Sequence, residues 1–123
     1  MPRYVILEHD WPQRHWDFML ETATLLQTWK LADAPKPGVA IPAQKSFDHR
    51  LLYLDYEGPI SGGRGSVTRW DAGRFFLVAE QENRLVMRLE GGQLQGTVEL
   101  TNHLKEGWTW RLDVEPASSK TNA

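Results

Sequence analysis

Residues 71–114 read DAGRFFLVAEQENRLVMRLEGGQLQGTVELTNHLKEGWTWRLDV, and this stretch decides the fold. Runs rich in apolar and β-branched residues alternate with short turns, among them Gly91-Gly92 and Glu106-Gly107, which are typical of β-hairpins. Strands are therefore predicted over residues 74–80, 84–90, 94–102 and 108–114, with Asp71-Ala72-Gly73 as a further turn. Apolar side chains fall at every second position, at Leu85, Met87, Leu89, Trp108, Trp110 and Leu112. Because side chains in a strand alternate between two faces, these residues are predicted to fill one interior.

The chain before residue 71 extends the same pattern. Strands are predicted at residues 4–8, 18–21, 25–31 and 66–70, whereas residues 32–46 carry three prolines and a glycine and are predicted to be a loop. Residues 46–58 are predicted to be a turn followed by an alternating segment, and residues 59–65 a glycine-rich turn. Many short strands and hardly any helical periodicity predict a mainly β fold, an antiparallel β-barrel or sandwich with little helix.

Composition limits the classes of function. A chain of 123 residues with 41% hydrophobic content fits one domain, predicted over residues 1–115, and the Ser- and Lys-rich residues 116–123 are predicted to be a disordered tail. A net charge of −2 gives no overall electrostatic argument for nucleic-acid binding. There is no cysteine, no apolar run of membrane-spanning length and no signal-peptide pattern at Met1-Pro2-Arg3-Tyr4. A cytoplasmic monomer that binds no membrane is expected.

Residues 8–21, EHDWPQRHWDFMLE, hold the densest chemistry in the chain. In an extended segment His15 and Asp17 point to one face, and Trp16 and Phe18 point to the other. A turn near Trp11-Pro12 would bring His9 back to the first face. Two imidazoles and a carboxylate then suit Mn²⁺ or Zn²⁺. The plainer alternative is that these residues are ordinary polar residues near a turn, because this spacing alone is not a strong metal signature.

Six tryptophans raise a second possibility, the stacking of nucleic-acid bases on exposed rings. Trp29, Trp70, Trp108 and Trp110 lie within strand patterns and are predicted to pack in the core. Only Trp11 and Trp16, which flank the candidate site, are considered for substrate contact.

Several linked motifs resemble one known family, the 3′-phosphoesterase domain of bacterial DNA ligase D. They are His9-Asp10-x4-His15-Trp16-Asp17-Phe18-x-Leu20-Glu21, Leu26-x2-Trp29, Asp48-His49-x3-Tyr53-x-Asp55-Tyr56-Glu57-Gly58 and Gly63-x-Gly65-x-Val67-x2-Trp70-Asp71-x-Gly73. The agreement in order and spacing runs from about Tyr4 to Val114.

The resemblance implies a compact β-barrel enzyme that uses a divalent metal, manganese first and zinc or cobalt as alternatives. Its substrate would be a DNA or DNA/RNA 3′ end, from which it removes a 3′-terminal ribonucleoside and the remaining 3′-phosphate to leave a 3′-OH. A separate ligase or polymerase of end joining is an implied partner. By motif match, His9, His15 and Asp17 are the metal ligands. An alternative role for Asp17 is to hold His15 in one tautomer instead of binding the metal. His49 and Tyr53 join His15 and Asp17 as catalytic residues.

The chain departs from this pattern where the family binds phosphate. Met19 stands in place of an arginine, Phe47 replaces an acidic residue, and Ile41 occupies a position that is basic in the family. Arg14, Arg50 and Arg64 are the predicted phosphate-binding residues instead, with Lys45 as a further source of positive charge. Two other hypotheses follow from these departures: a phosphate- or nucleic-acid-binding module that has lost hydrolysis, and a hydrolase of a different small phosphoester.

Overall fold

The computed structural model describes residues 2–114, which form nine strands and two short 3₁₀ helices. The strands are β1 (Arg3–His9), β2 (His15–Glu21), β3 (Leu26–Leu31), β4 (Ile41–Lys45), β5 (Gly58–Pro59), β6 (Ser66–Gln81), β7 (Arg84–Gly91), β8 (Gln95–Asn102) and β9 (Trp108–Asp113). The 3₁₀ helices are Leu51–Leu54 and Leu104–Glu106. No helix in this part of the chain has the length and apolar character needed to cross a membrane. The predicted tail, residues 116–123, lies outside the described residues.

The strands form one sheet that closes on itself. Its order is β1-β2-β3-β4-β9-β8-β7-β6-β5, and an additional pairing of β1 with β6 joins the two sides. Eight strands therefore make a closed antiparallel barrel, and the two-residue β5 pairs with β6 beside that closure. The predicted mainly β fold and the antiparallel barrel are confirmed.

Strands β1 and β2 are packed on both of their faces. On one face Tyr4, Ile6, Phe18 and Leu20 belong to the large hydrophobic cluster inside the barrel. On the other face Val5, Leu7 and Met19 belong to a second cluster with Leu26, Leu54 and Val67. The segment around the first 3₁₀ helix contributes Leu54, together with Leu51 and Tyr53, to this second cluster. The candidate site lies on this outer face, beneath that segment.

The predicted turn at Asp71-Ala72-Gly73 is wrong, because these residues lie inside the continuous 16-residue strand β6. Asp71 is buried and accepts hydrogen bonds from the Tyr4 hydroxyl at 2.7 Å and from the backbone N–H groups of Gln93 and Leu94 at 2.8 and 3.1 Å. Gly73 lets the backbone at Glu90 and Gly91 approach, since a Cβ at residue 73 would collide with it. Asp71 thus links β6 to β1 and to the turn between β7 and β8, and Gly73 allows the close approach of β6 and β7.

Two further predictions for the middle of the chain are corrected. Residues 32–46 are not wholly a loop, since Ile41–Lys45 forms β4 between β3 and β9. Pro42 lies within this strand, and although it has no N–H to donate, its carbonyl oxygen still accepts the Ala32 N–H at 3.0 Å. The alternating segment predicted after residue 46 is instead a 3₁₀ helix at Leu51–Leu54, followed by the short strand β5.

Candidate metal centre

His9, His15 and Asp17 converge at the end of the β1–β2 hairpin. His9 is paired directly with His15 across the two strands, and their ring centroids are 4.9 Å apart. Directly paired residues project to the same face of an antiparallel sheet, and Asp17 follows two residues after His15 on that face. One ligand atom from each of the three residues lies within 4.8 Å of the other two. The predicted return of His9 to the His15/Asp17 face is found.

The hydrogen bonds of His15 set the nitrogen that it presents to this group. Its Nδ1 lies 2.9 Å from the Gln13 carbonyl oxygen, which can only accept, so Nδ1 carries a hydrogen. In the neutral ring Nε2 then holds a lone pair, 3.2 Å from Asp17 Oδ1. Both atoms are buried and neither has a hydrogen-bond partner among the described residues, despite the short distance. Two buried acceptors facing one another fit a shared cation.

His9 is held in a comparable way. Its Nε2 lies 2.8 Å from the Arg64 carbonyl oxygen and donates to it, which leaves the Nδ1 lone pair 3.8 Å from Asp17 Oδ2. A backbone carbonyl on the second nitrogen is the usual arrangement for metal-binding histidines, because it fixes both the tautomer and the ring orientation. The donor set of two imidazoles and one carboxylate therefore fits a divalent metal ion such as Mn²⁺ or Zn²⁺.

The loop between the two histidines is attached to the turn that precedes β6. Asp10 Oδ1 accepts the Ser66 N–H at 2.8 Å, and the Asp10 N–H donates to the Ser66 carbonyl at 3.3 Å. Gly65 makes this approach possible, with φ +74 and no side chain, because a Cβ there would collide with Asp10 and lie 2.6 Å from the Trp11 Cβ. The peptide bond from Trp11 to Pro12 is cis.

A cleft of about 340 Å³ opens over the three residues. The cleft is also lined by His49, Arg50, Tyr53 and Arg64. Residues 46–65, the covering segment, therefore bring both predicted catalytic residues, His49 and Tyr53, to the candidate metal centre. Trp11 lines the same cleft, whereas Trp16 packs against the barrel core. Trp29 and Trp110 are buried, and Trp70 and Trp108 pack against the core, as predicted.

His49 is fixed by contacts on one nitrogen and by two aromatic rings. Its Nδ1 lies 3.0 Å from the Phe47 carbonyl oxygen and 2.9 Å from Thr28 Oγ1, so Nδ1 carries a hydrogen and Nε2 is left without a protein partner among residues 2–114. The Phe47 ring stacks on the imidazole with centroids 4.6 Å apart, and Tyr53 meets it edge-on at 5.7 Å. The Tyr53 hydroxyl has no hydrogen bond to the described residues.

The electrostatic environments of His15 and His49 differ. Asp17, in contact with Nε2, raises the pKa of His15, and the Gln13 carbonyl adds to this effect. Burial lowers the pKa of His49, against the smaller raising effect of Asp17. At neutral pH His49 is therefore the more readily deprotonated of the two imidazoles.

The predicted phosphate-binding residues occupy different positions. Arg50 and Arg64 line the cleft, whereas Arg14 pairs with Glu8 and lines a neighbouring groove on the other side of His15. Lys45 lies 5.0 Å above the Trp29 ring and does not line the cleft.

Sequence reasoning missed Lys30, which lines both the cleft and the groove. The pattern of β3 holds a signal for it. Thr28 and Lys30 alternate with the buried Trp29 and Leu31, so they belong to the face opposite the barrel core.

The barrel and the outer-face cleft define a small β-domain with a His/Asp group that could hold a metal ion. The model of the DNA ligase D 3′-phosphoesterase domain matches residues 7–102, and the chain belongs to this family. It is similar to the multifunctional non-homologous end joining protein LigD of Pseudomonas aeruginosa, 33% identical over 104 residues, which cover 76% of this chain and 12% of that protein. It is also 28% identical to LigD of Mycobacterium bovis over 114 residues, covering 85% of this chain and 15% of the relative. The chain thus spans a small part of the length of these proteins.

Proposed function

We propose that this chain is a divalent-metal-dependent phosphoesterase that processes DNA 3′ ends in DNA repair. It removes a 3′-terminal ribonucleoside and then the 3′-phosphate, leaving a 3′-OH. The observation that carries the proposal is the convergence of His9, His15 and Asp17 within 4.8 Å, in a cleft that also contains His49 and Tyr53. Membership of the 3′-phosphoesterase family and similarity to end-joining proteins support the same reaction class.

His9 Nδ1, His15 Nε2 and the Asp17 carboxylate would hold the metal, with Mn²⁺ as the first choice and zinc or cobalt as alternatives. When bound, the ion polarises a phosphoryl oxygen and offsets the negative charge that develops during hydrolysis. Asp17 acts as a ligand rather than as the group that orients His15, because the Gln13 carbonyl already fixes that ring.

The hydrolysis of a 3′-phosphate forms a bond from a water oxygen to phosphorus and breaks the bond to the DNA 3′ oxygen, which takes up a proton. His49 is the proposed proton donor, through Nε2, because its Nδ1 is engaged by the Phe47 carbonyl. A neighbouring phosphate favours the imidazolium, and the lowered pKa makes that proton easy to give up. Tyr53 orients the phosphate through its unpartnered hydroxyl.

The proposal is tested by phosphate release from a 3′-phosphorylated DNA primer with Mn²⁺ supplied. Wild type is expected to release phosphate, and H15A and H49A are expected to lose at least 100-fold in rate, the effect typical of a lost acid/base group or metal ligand. The matched control is H103A, since His103 bonds Thr109 outside the cleft. Folded wild-type protein that releases no phosphate with Mn²⁺, Zn²⁺ or Co²⁺ would contradict the proposal.

One observation favours a second candidate function, a binding module that keeps the metal but no longer hydrolyses. Met19 is buried in the outer hydrophobic cluster and contributes no charge to the cleft floor that it lines. M19R is the discriminating variant: a gain of phosphate release where wild type shows none would favour the binding module. The remaining alternative, hydrolysis of a different small phosphoester, is checked with a panel of small phosphomonoesters and cyclic phosphates on the same protein.

A further inference from the structure

A phosphate ester in this cleft needs a positive group besides a metal ion, and the arginines near it are already engaged. Arg64 donates from its guanidinium to the Ser61 carbonyl at 2.7 Å and to the Ser61 hydroxyl at 3.1 Å. The Arg50 guanidinium lies over the Tyr53 ring, 6.0 Å from its centroid, and Arg14 pairs with Glu8. Each arginine therefore already has a contact within the protein.

Lys30 lines the cleft. It is paired directly with Asp17 across β2 and β3, and directly paired residues project to the same face, so its side chain rises beside the metal-binding carboxylate. Thr28, two residues earlier on the same face of β3, contacts His49 Nδ1 at 2.9 Å. The β3 strand thus places Lys30 opposite Asp17 and, two residues earlier, Thr28 against His49.

The ammonium group of Lys30 has no bonding partner among the described residues. It makes no hydrogen bond or ion pair with any residue from 2 to 114, although its side chain is half-buried.

We infer that Lys30 is the phosphate-binding residue of this cleft, its ammonium donating to a non-bridging oxygen of the phosphate ester. It also supplies the positive charge that the buried thioether of Met19 lacks. An ammonium is a compact point charge on a flexible stem, so Lys30 recognises a terminal phosphate without the planar, two-point geometry of a guanidinium. This inference rests on the proposed function for its substrate class, but its test does not require turnover.

The test measures binding of two fluorescent single-stranded DNAs of one sequence, one ending in a 3′-phosphate and one in a 3′-OH, by anisotropy in EDTA. Wild type is expected to bind the 3′-phosphorylated strand about tenfold more tightly, the effect of one charge-assisted hydrogen bond. K30M is expected to lose this preference, and K30R, which keeps the charge, is expected to retain part of it. K36M is the matched control, because Lys36 is an exposed lysine that does not line the cleft. Circular dichroism confirms that each variant is folded.

The two proposals fail in different ways. A wild type with no preference for the 3′-phosphate, or a K30M that keeps the preference, overturns the role of Lys30. Loss of the preference in K30M but not in K36M supports that role, even when no phosphate is released with Mn²⁺ and the proposed function falls. If wild type and K30M hydrolyse the 3′-phosphorylated primer with the same KM, the proposed function stands and the role of Lys30 is overturned.

Discussion

The ring of Phe47 lies almost parallel to the imidazole of His49, with 12° between their planes and 4.6 Å between their centroids. Phe47 is 71% exposed, so its place at the rim is explained by the histidine that it covers rather than by the core. Burial is the largest cause of the lowered pKa of His49. The phenyl ring therefore contributes to the burial that lowers this pKa.

F47A is expected to raise the pKa of His49 toward its ordinary value of 6.5, because water then reaches the ring face. The measurement is an NMR titration of the His49 ring resonances in metal-free protein. V78A is the control, since Val78 is comparably exposed at 67% and does not line the cleft. An unchanged pKa in F47A would show that the shielding comes from other groups.

The three residues of the metal centre are expected to act as one unit in metal binding. H9A, H15A and D17N should each weaken Mn²⁺ and Zn²⁺ binding by more than about 100-fold, since loss of a group that only orients a ligand already costs about 10–100-fold. Calorimetric titration checks this. The control is H103A, which also replaces a histidine by alanine but lies outside the cleft. Wild-type affinity in any of the three variants would remove that residue from the ligand set.

Gly65 and Gly63 form a matched pair of positions. They test the attachment, through Asp10 and Ser66, of the loop between His9 and His15 to β6. Both have positive φ, +74 and +68, but a Cβ at residue 63 meets nothing within 4 Å, whereas one at residue 65 collides with Asp10 and Trp11. G63A is expected to cost about 1–2 kcal/mol, for the backbone alone. G65A should cost more and also weaken Mn²⁺ binding, because it pushes the loop away from β6. Denaturant unfolding and metal titration of both variants separate strain from collision.

Inside the barrel, Tyr4 and Asp71 form a buried pair whose strength depends on pH. Y4F is expected to cost about 1.5–3 kcal/mol at pH 7, because it removes a hydrogen bond to a charged acceptor. Y53F is the control and should cost far less, since the Tyr53 hydroxyl has no partner among residues 2–114.

Burial, together with Asp71, raises the pKa of Tyr4 above its ordinary value of 10.0. The unfolded chain therefore loses this proton first as pH rises, and the stabilisation present below pH 10 declines above it. Unfolding curves of wild type and Y4F should converge in stability as pH rises above 10. A constant difference would contradict the linkage.

Alternation of apolar residues was enough to predict most of the strands and a mainly β fold, because period-2 burial is a local property of sequence, and the resemblance favoured a barrel. It was not enough where a long-range contact decides the conformation. Asp71 and Gly73 are residue types common in turns, but the Tyr4 hydroxyl bonds Asp71 and Gly73 pairs with Gly91, so both lie in one long strand. Pro42 predicts a break in the strand, yet β4 continues through it and its carbonyl oxygen accepts the Ala32 N–H.

In the candidate metal centre, too, local spacing could be read from the sequence and long-range contacts could not. His15 and Asp17 lie two apart and were found from spacing, and the resemblance added His49 and Tyr53. Lys30 was missed because its closeness to Asp17 depends on the register of β2 with β3, which no motif records. Arg14 was favoured by its place in the sequence, although its partner is Glu8.

The outer-face position of the cleft has an evolutionary consequence. The barrel interior is filled from one side of β1 and β2, while the cleft is built from the other side and from a covering segment that contributes little to that interior. Substitutions at the exposed cleft-lining positions Phe47, Asp48 and Arg50 can therefore change substrate preference at little cost to the barrel interior.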